Sequence, residues 1–268
     1  MTARGDLTSA NTVGYSTINL EEGKWYMVIP QFTKTGEVEG DTFNALDVMQ
    51  FKGLVAGLFN TRDIDAPQIQ VHRSSDDGYD KYYYISDAMR VITGQAPQVV
   101  TGWCAGAVKK EIEEVTVKQF KGFWLRIVNV QDGATLTVAG QVRALDEPID
   151  VNVGTEGEWQ IIGNPYPCDL LIQNMSVTGL TPGTFSGRDT DAPQIQVHRP
   201  SDDGYDKYYY VSDAMRVTTT PPSPVTAWVK GAVKAEFASG KICDSGKGFW
   251  LRVPKSGSGK LTFQLKND

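Results

Sequence analysis

Long apolar runs are missing from this 268-residue chain: its hydrophobic residues, 40% of the total, come in short bursts. None of these would cross a bilayer as a helix, so membrane insertion is not expected. Basic clusters are missing too. With a net charge of −6 and a sequence pI of about 5.1, the chain offers nothing to neutralise phosphates. Nucleic acid and anionic membranes are therefore poor partners, and its acidic loops suit cations. Histidine and cysteine are scarce. His72, His198, Cys104, Cys168 and Cys243 form no C-x-x-C pair and no zinc-like spacing, which argues against a structural zinc site. The odd cysteine count leaves at least one free thiol, while Cys168 and Cys243 could be bridged where the fold brings them together. No G-x-S-x-G elbow, Cys–His signature or phosphate loop is present, so the chain reads as non-enzymatic. The opening "MTARGDLTSANTVGY" has neither an apolar h-region nor an A-x-A site, and no signal peptide is expected in it.

What the chain does have is one passage twice. "RDIDAPQIQVHRSSDDGYDKYYYISDAMRV" (Arg62–Val91) recurs as "RDTDAPQIQVHRPSDDGYDKYYYVSDAMRV" (Arg188–Val217), differing only at Ile64/Thr190, Ser74/Pro200 and Ile85/Val211. Fainter matches surround it in the same order: "EGKWYMVIPQF" with "EGEWQIIGNPY", "TGWCAGAVKKE" with "TAWVKGAVKAE", and "KGFWLRI" with "KGFWLRV". Tandem copies of one domain are expected, with an N-terminal arm at 1–13, copy one at 14–146 and copy two at 147–268. The short joint "RALDEP" is stiffened by its proline, which limits relative motion.

Short β-branched or aromatic runs bounded by turn residues dominate each copy. The fold class predicted is all-β, six to eight strands per copy in a sandwich or partly closed barrel. The best helical candidate is "AVKKEIEEV" (Ala107–Val115). Within the repeated passage, alternation sets Ile69, Val71 and Arg73 against Gln68, Gln70 and His72, and Tyr82 and Tyr84 against Tyr83 and Ile85. The Asp-Gly step between these runs predicts a hairpin with Gly78 and Gly204 at positive φ.

The blocks G-x-W-x-x-I-G-N-P-Y-P (Gly157–Pro167), QIQV…GY…YYY and GFWLR resemble uncharacterised secreted β-rich tandem-repeat proteins of Verrucomicrobia-like bacteria. The resemblance spans nearly the whole chain. It implies an extracellular or cell-surface location and supplies no catalytic residue.

The candidate contact residues lie on the duplicated hairpin: Gln70, His72, Asp76, Asp77, Tyr79 and Tyr83, with Gln196, His198, Asp202, Asp203, Tyr205 and Tyr209. Aromatic side chains there suit a sugar ring or a protein interface. Calcium is the one cofactor the acidic tips would suit, through Asp76, Asp77, Asp80, Asp202, Asp203 and Asp206, although turn-capping alone explains those aspartates. Trp103, Trp124, Trp228 and Trp250 read as core anchors. The function expected is a structural protein whose copies pack head-to-tail into a filament or surface array, with self as partner. The alternative is a carbohydrate- or calcium-binding module with two equivalent sites. The arm, under this reading, adds a strand to a neighbouring subunit.

Overall fold

The computed structural model describes residues 13–32, 42–73, 75–118, 120–141, 148–153, 158–254 and 259–265. Of the expected arm at 1–13, all but Val13 lies outside these residues, as does the joint, its proline excepted.

The chain is an all-β sandwich protein. Among the described residues ten strands lie before the joint: β1 (Val13–Asn19), β2 (Trp25–Val28), β3 (Thr42–Asn44), β4 (Met49–Leu54), β5 (Gln68–Arg73), β6 (Gly78–Arg90), β7 (Gln98–Ala105), β8 (Thr116–Lys118), β9 (Phe123–Arg126) and β10 (Val130–Gln141). Ten follow it: β11 (Ile149–Val153), β12 (Glu158–Gly163), β13 (Leu170–Leu171), β14 (Met175–Thr178), β15 (Gln194–Arg199), β16 (Gly204–Arg216), β17 (Ser223–Lys230), β18 (Lys241–Cys243), β19 (Gly248–Val253) and β20 (Gly259–Phe263). The count exceeds the six to eight expected, because short strands such as β3 and β13 carry too few residues to show alternation.

All strand pairs are antiparallel. The first half forms sheets ordered β2-β9-β5-β6-β7, β1-β10-β4 and β3-β8. The second forms β12-β19-β15-β16-β17, β11-β20-β14 and β13-β18, the same order strand for strand. In each half the five-stranded and three-stranded sheets enclose a core. The first is built on Val28, Ile69, Phe123, Leu125, Leu136 and Val138, the second on Ile162, Ile195, Phe249, Leu251, Leu261 and Phe263. Trp103 and Trp228 anchor these cores as expected.

Two local expectations are corrected, and the open question of a bridge is answered. Ala107–Val115 is not a helix: it runs along the edge of β6 and β7, where Glu111 N–H donates to the Met89 carbonyl (3.0 Å) and Ile112 N–H to the Trp103 carbonyl (2.8 Å). Those sheet bonds satisfy backbone groups that a helix would have paired internally. Helix occurs instead as single turns opening the repeated passage, α1 (Arg62–Asp65) and α2 (Arg188–Asp191). Each stops at an alanine before proline, a position that disfavours helix.

At the hairpin tip the positive φ belongs to Asp77 (55°) and Asp203 (57°), and not to Gly78 and Gly204. Aspartate tolerates that region better than most residues. Gly78 serves close approach, since a Cβ there would lie 2.6 Å from Arg73 Nη2. All three cysteines are free thiols, Cys168 exposed and Cys243 buried, so no bridge joins them.

The halves meet face to face. Lys121 bridges Ile162, and Val28 bridges Lys247. Gly163 N–H donates to the Phe120 carbonyl (3.2 Å), and Ile29 N–H to the Gly246 carbonyl (3.3 Å). By the internal alignment Lys121 corresponds to Lys247, Val28 to Ile162, Ile29 to Gly163 and Phe120 to Gly246, so each contact is answered by its exchanged twin. That reciprocity is an isologous contact, which closes on itself.

Candidate binding clefts at the junction

The outer face of each five-stranded sheet, the one turned away from its own core, carries the chemistry. Strand alternation places Phe123 and Leu125 inward and Trp124 and Arg126 outward on β9. Register then aligns Met27, Trp124 and Gln70 in one row across β2, β9 and β5. Trp25 stands edge-on to Trp124 at 5.9 Å and 85°, and Trp159 to Trp250 at 6.0 Å and 82°. Gln70 Nε2 donates to Gln68 Oε1 (3.0 Å), which orients its amide, and Gln196 does the same to Gln194 (3.3 Å).

The outer faces pack on each other around Met27, Trp124 and Ile161. Across the junction His72 meets Trp250 edge-on at 5.1 Å, and His198 meets Trp124 at 5.0 Å. The tryptophans close over the histidines, whose side chains are only 5% and 4% exposed. Each ring is held from behind by its own hairpin tip: His72 Nε2 lies 2.9 Å from Asp77 Oδ1, and His198 Nε2 2.9 Å from Asp203 Oδ1. The positive φ at each of these aspartates belongs to the same tip that carries the carboxylate. Trp124 and Trp250, expected in cores, belong instead to this junction.

Two clefts flank the contact. The first, about 330 Å³, is lined by Trp25, Gln70 and Trp124 of the first half with His198, Asp203, Tyr205 and Trp250 of the second, and by Tyr79. The second, about 270 Å³, is lined by Trp159, Gln196 and Trp250 with Asp77, Tyr79 and Tyr205. Each thus offers two tryptophans and a glutamine from one sheet face, and an aspartate from the opposite half's hairpin. Both tyrosines serve both clefts. Burial pushes the hydroxyls of Tyr79 and Tyr205 up from the usual tyrosine range, and Asp77 and Asp203 add to it. Both therefore stay protonated, and able to donate, across neutral pH.

Of the residues singled out in the sequence, Gln70, Tyr79, Asp77, Gln196, His198, Asp203 and Tyr205 reach the clefts. His72 lines neither. It faces a separate cavity of about 640 Å³, with Arg73, Lys118, Lys121 and Gln160. Tyr83 and Tyr209 turn to small satellite clusters, where their hydroxyls donate to Asp63 Oδ1 (2.6 Å) and Asp189 Oδ1 (2.7 Å). Asp76 and Asp202 stay at the tips, paired at 2.9 Å with Arg73 and Arg199. Asp80 and Asp206 are paired with the same arginines, so these four carboxylates already have cationic partners. Among the described residues no group of three or more His, Cys, Asp or Glu is placed to hold a metal ion.

Trp25 and Trp159 were not singled out from sequence. For Trp25 the available signal was the run "WYMV" (Trp25–Val28): consecutive apolar residues on one strand mean that both faces are covered. No family model matches the chain, and no curated protein matches it. No helix among the described residues is long and apolar enough to cross a membrane.

Proposed function

We propose that this protein is a non-catalytic carbohydrate-binding module with two related sites, working outside the cell or at its surface. The observation that carries the reading is the pair of clefts, each joining aromatic walls to a glutamine amide and a carboxylate. A sugar ring has C–H faces that pack on indole and phenol rings, and an edge of hydroxyls that bond to amide and carboxylate. The clefts sit at the small end of ligand-pocket sizes, which suits one ring in each. The extracellular location rests on the resemblance to secreted repeat proteins.

Calorimetric titration with cellotriose, chitotriose and mannotriose tests the proposal. At least one should bind saturably, and Trp25→Ala and Trp159→Ala should each weaken its own site about tenfold, the worth of one aromatic contact. No heat from any of the three, nor from a wider glycan array, would sink it.

A second reading, self-association, is favoured by valines exposed at corresponding places in the halves: Val91 and Val217, Val108 and Val233. Sedimentation of the protein alone decides it. Assembly that survives Val91→Lys combined with Val217→Lys would remove these valines from the contact.

A further inference from the structure

The two clefts are not equivalent. We infer that the first is the primary site and that His198 Nδ1 is its specificity-determining group, accepting a hydrogen bond from a ligand hydroxyl; this rests on the carbohydrate reading above.

The histidines mark the difference. His198 lines the first cleft, whereas His72 faces the larger cavity and lines no part of the second. His198 Nδ1 is buried and has no hydrogen-bond partner among the described residues, in a side chain only 4% exposed. Buried polar atoms in native proteins nearly always have partners, so one left over beside a cleft points to what the cleft receives. The other ring nitrogen fixes its role. Nε2 sits 2.9 Å from a carboxylate oxygen of Asp203, which only accepts, so the ring's N–H is at Nε2 and the neutral ring has its lone pair at Nδ1. A partner must donate to it. Sugar hydroxyls donate; ring C–H groups and ether oxygens do not.

The same ring is covered. Trp124 lies over it edge-on at 5.0 Å and Tyr205 packs at 5.4 Å, so a ligand hydroxyl reaches Nδ1 only as one of these rings turns aside.

The halves also differ in a side chain at their contact. Phe120 reaches across into the second half's core, whereas the residue at the matching place is Gly246, although both have a positive φ (60° and 76°).

The experiment follows indole and imidazole nitrogens by ¹⁵N NMR while cellotriose, chitotriose and mannotriose are added in turn. The indoles of Trp25 and Trp124 should shift at lower sugar concentration than that of Trp159. His198 Nδ1 should move upfield as its lone pair is engaged, with His72 unmoved. In His198→Gln, affinity at the first cleft should fall about tenfold with the second unchanged, and His72→Gln should leave the first cleft alone. Indoles that shift while His198 Nδ1 stays put, or both histidines responding alike, would overturn the inference and leave the carbohydrate reading standing. If no sugar moves any indole, both fall together.

Discussion

The repeated passage and its flanks obey different constraints. In the flanks, Phe43 and Val117 of β3 and β8 fill one core, while Leu170 and Ile242 of β13 and β18 fill the other. Any apolar pair of suitable volume serves there, because each residue answers to one set of neighbours. The hairpin answers to two. Ile69 and Val71 face their own core, and from the same strand Gln70 and His72 face the junction. The tip aspartate both orients its own histidine and lines the cleft on the opposite half's tryptophans. A segment that must fit its own sheet and the other half at once has few acceptable variants. This gives a physical reason for thirty residues to stay alike while their surroundings differ.

The largest effect should come from breaking the junction that imposes the second constraint. A Cβ at Gly163 would lie 2.0 Å from Ile29 Cγ2, and one at Gly122 would lie 2.5 Å from Ile161 Cγ2. Gly163→Val should destabilise by roughly 3 kcal/mol through overpacking. Gly133→Ala, at a positive φ with open space around it, should cost only about 1 kcal/mol. Urea unfolding compares them, and equal costs would mean that the halves do not press on each other as described.

Next come the satellite tyrosines, where both halves should respond alike. Tyr83→Phe and Tyr209→Phe each leave a carboxylate oxygen without its phenol donor, at about 1.5 kcal/mol. Burial, and then the hydrogen bond to Asp63 or Asp189, push these phenols up to about 12. Because the folded value lies above the unfolded one near 10, the associated stability is fully present below pH 10 and is lost as pH rises from 10 through 12. Thermal melts between pH 9 and 12 should show the loss in the native protein and a smaller loss in each variant.

Smaller still are the tips. Gly78→Ala and Gly204→Ala crowd Arg73 and Arg199 at 2.6 and 2.5 Å, but a flexible guanidinium can move, so about 1 kcal/mol is expected from each. A large gap between the two would show that the tips do unequal work. Smallest is Asp76→Asn. The Arg73 hydrogen bond beside it holds the Asp76 carboxyl below the usual range, so its contribution is present at neutral pH and is lost as pH falls through that lowered value. The pair is solvent-exposed, and the small drop in melting temperature should vanish in 1 M salt. A drop that persists would point to a contact other than the ion pair.

How much could be read in advance follows from the same division. Alternation in "QIQVHR" and "KYYYI" assigned the faces of β5 and β6 correctly, since period two shows directly which residues share a side. It did not say which apolar side faces the domain's own core. For Trp124 and Trp250 both sides are covered, and the local pattern is silent about the second cover. Ala107–Val115 has helical spacing, yet its backbone bonds go to a sheet edge that no local pattern announces. At the tip, Asp-Gly correctly marked a turn. The residue at positive φ was misassigned because glycine there answers to the Arg73 guanidinium and not to the dihedral.

The isologous junction is also an intramolecular one, and that changes how strong it has to be. Two pieces on one chain meet at an effective concentration on the order of 1 mM when the tether is short. A contact that free pieces would make with a dissociation constant near ~50 μM would then be closed about 95% of the time. Tethering therefore lets a contact too weak to hold a free dimer shape both clefts. Cutting the chain between Gln141 and Ile149 would dilute the partners to their bulk concentration, and the clefts would disperse, with the second core losing Phe120.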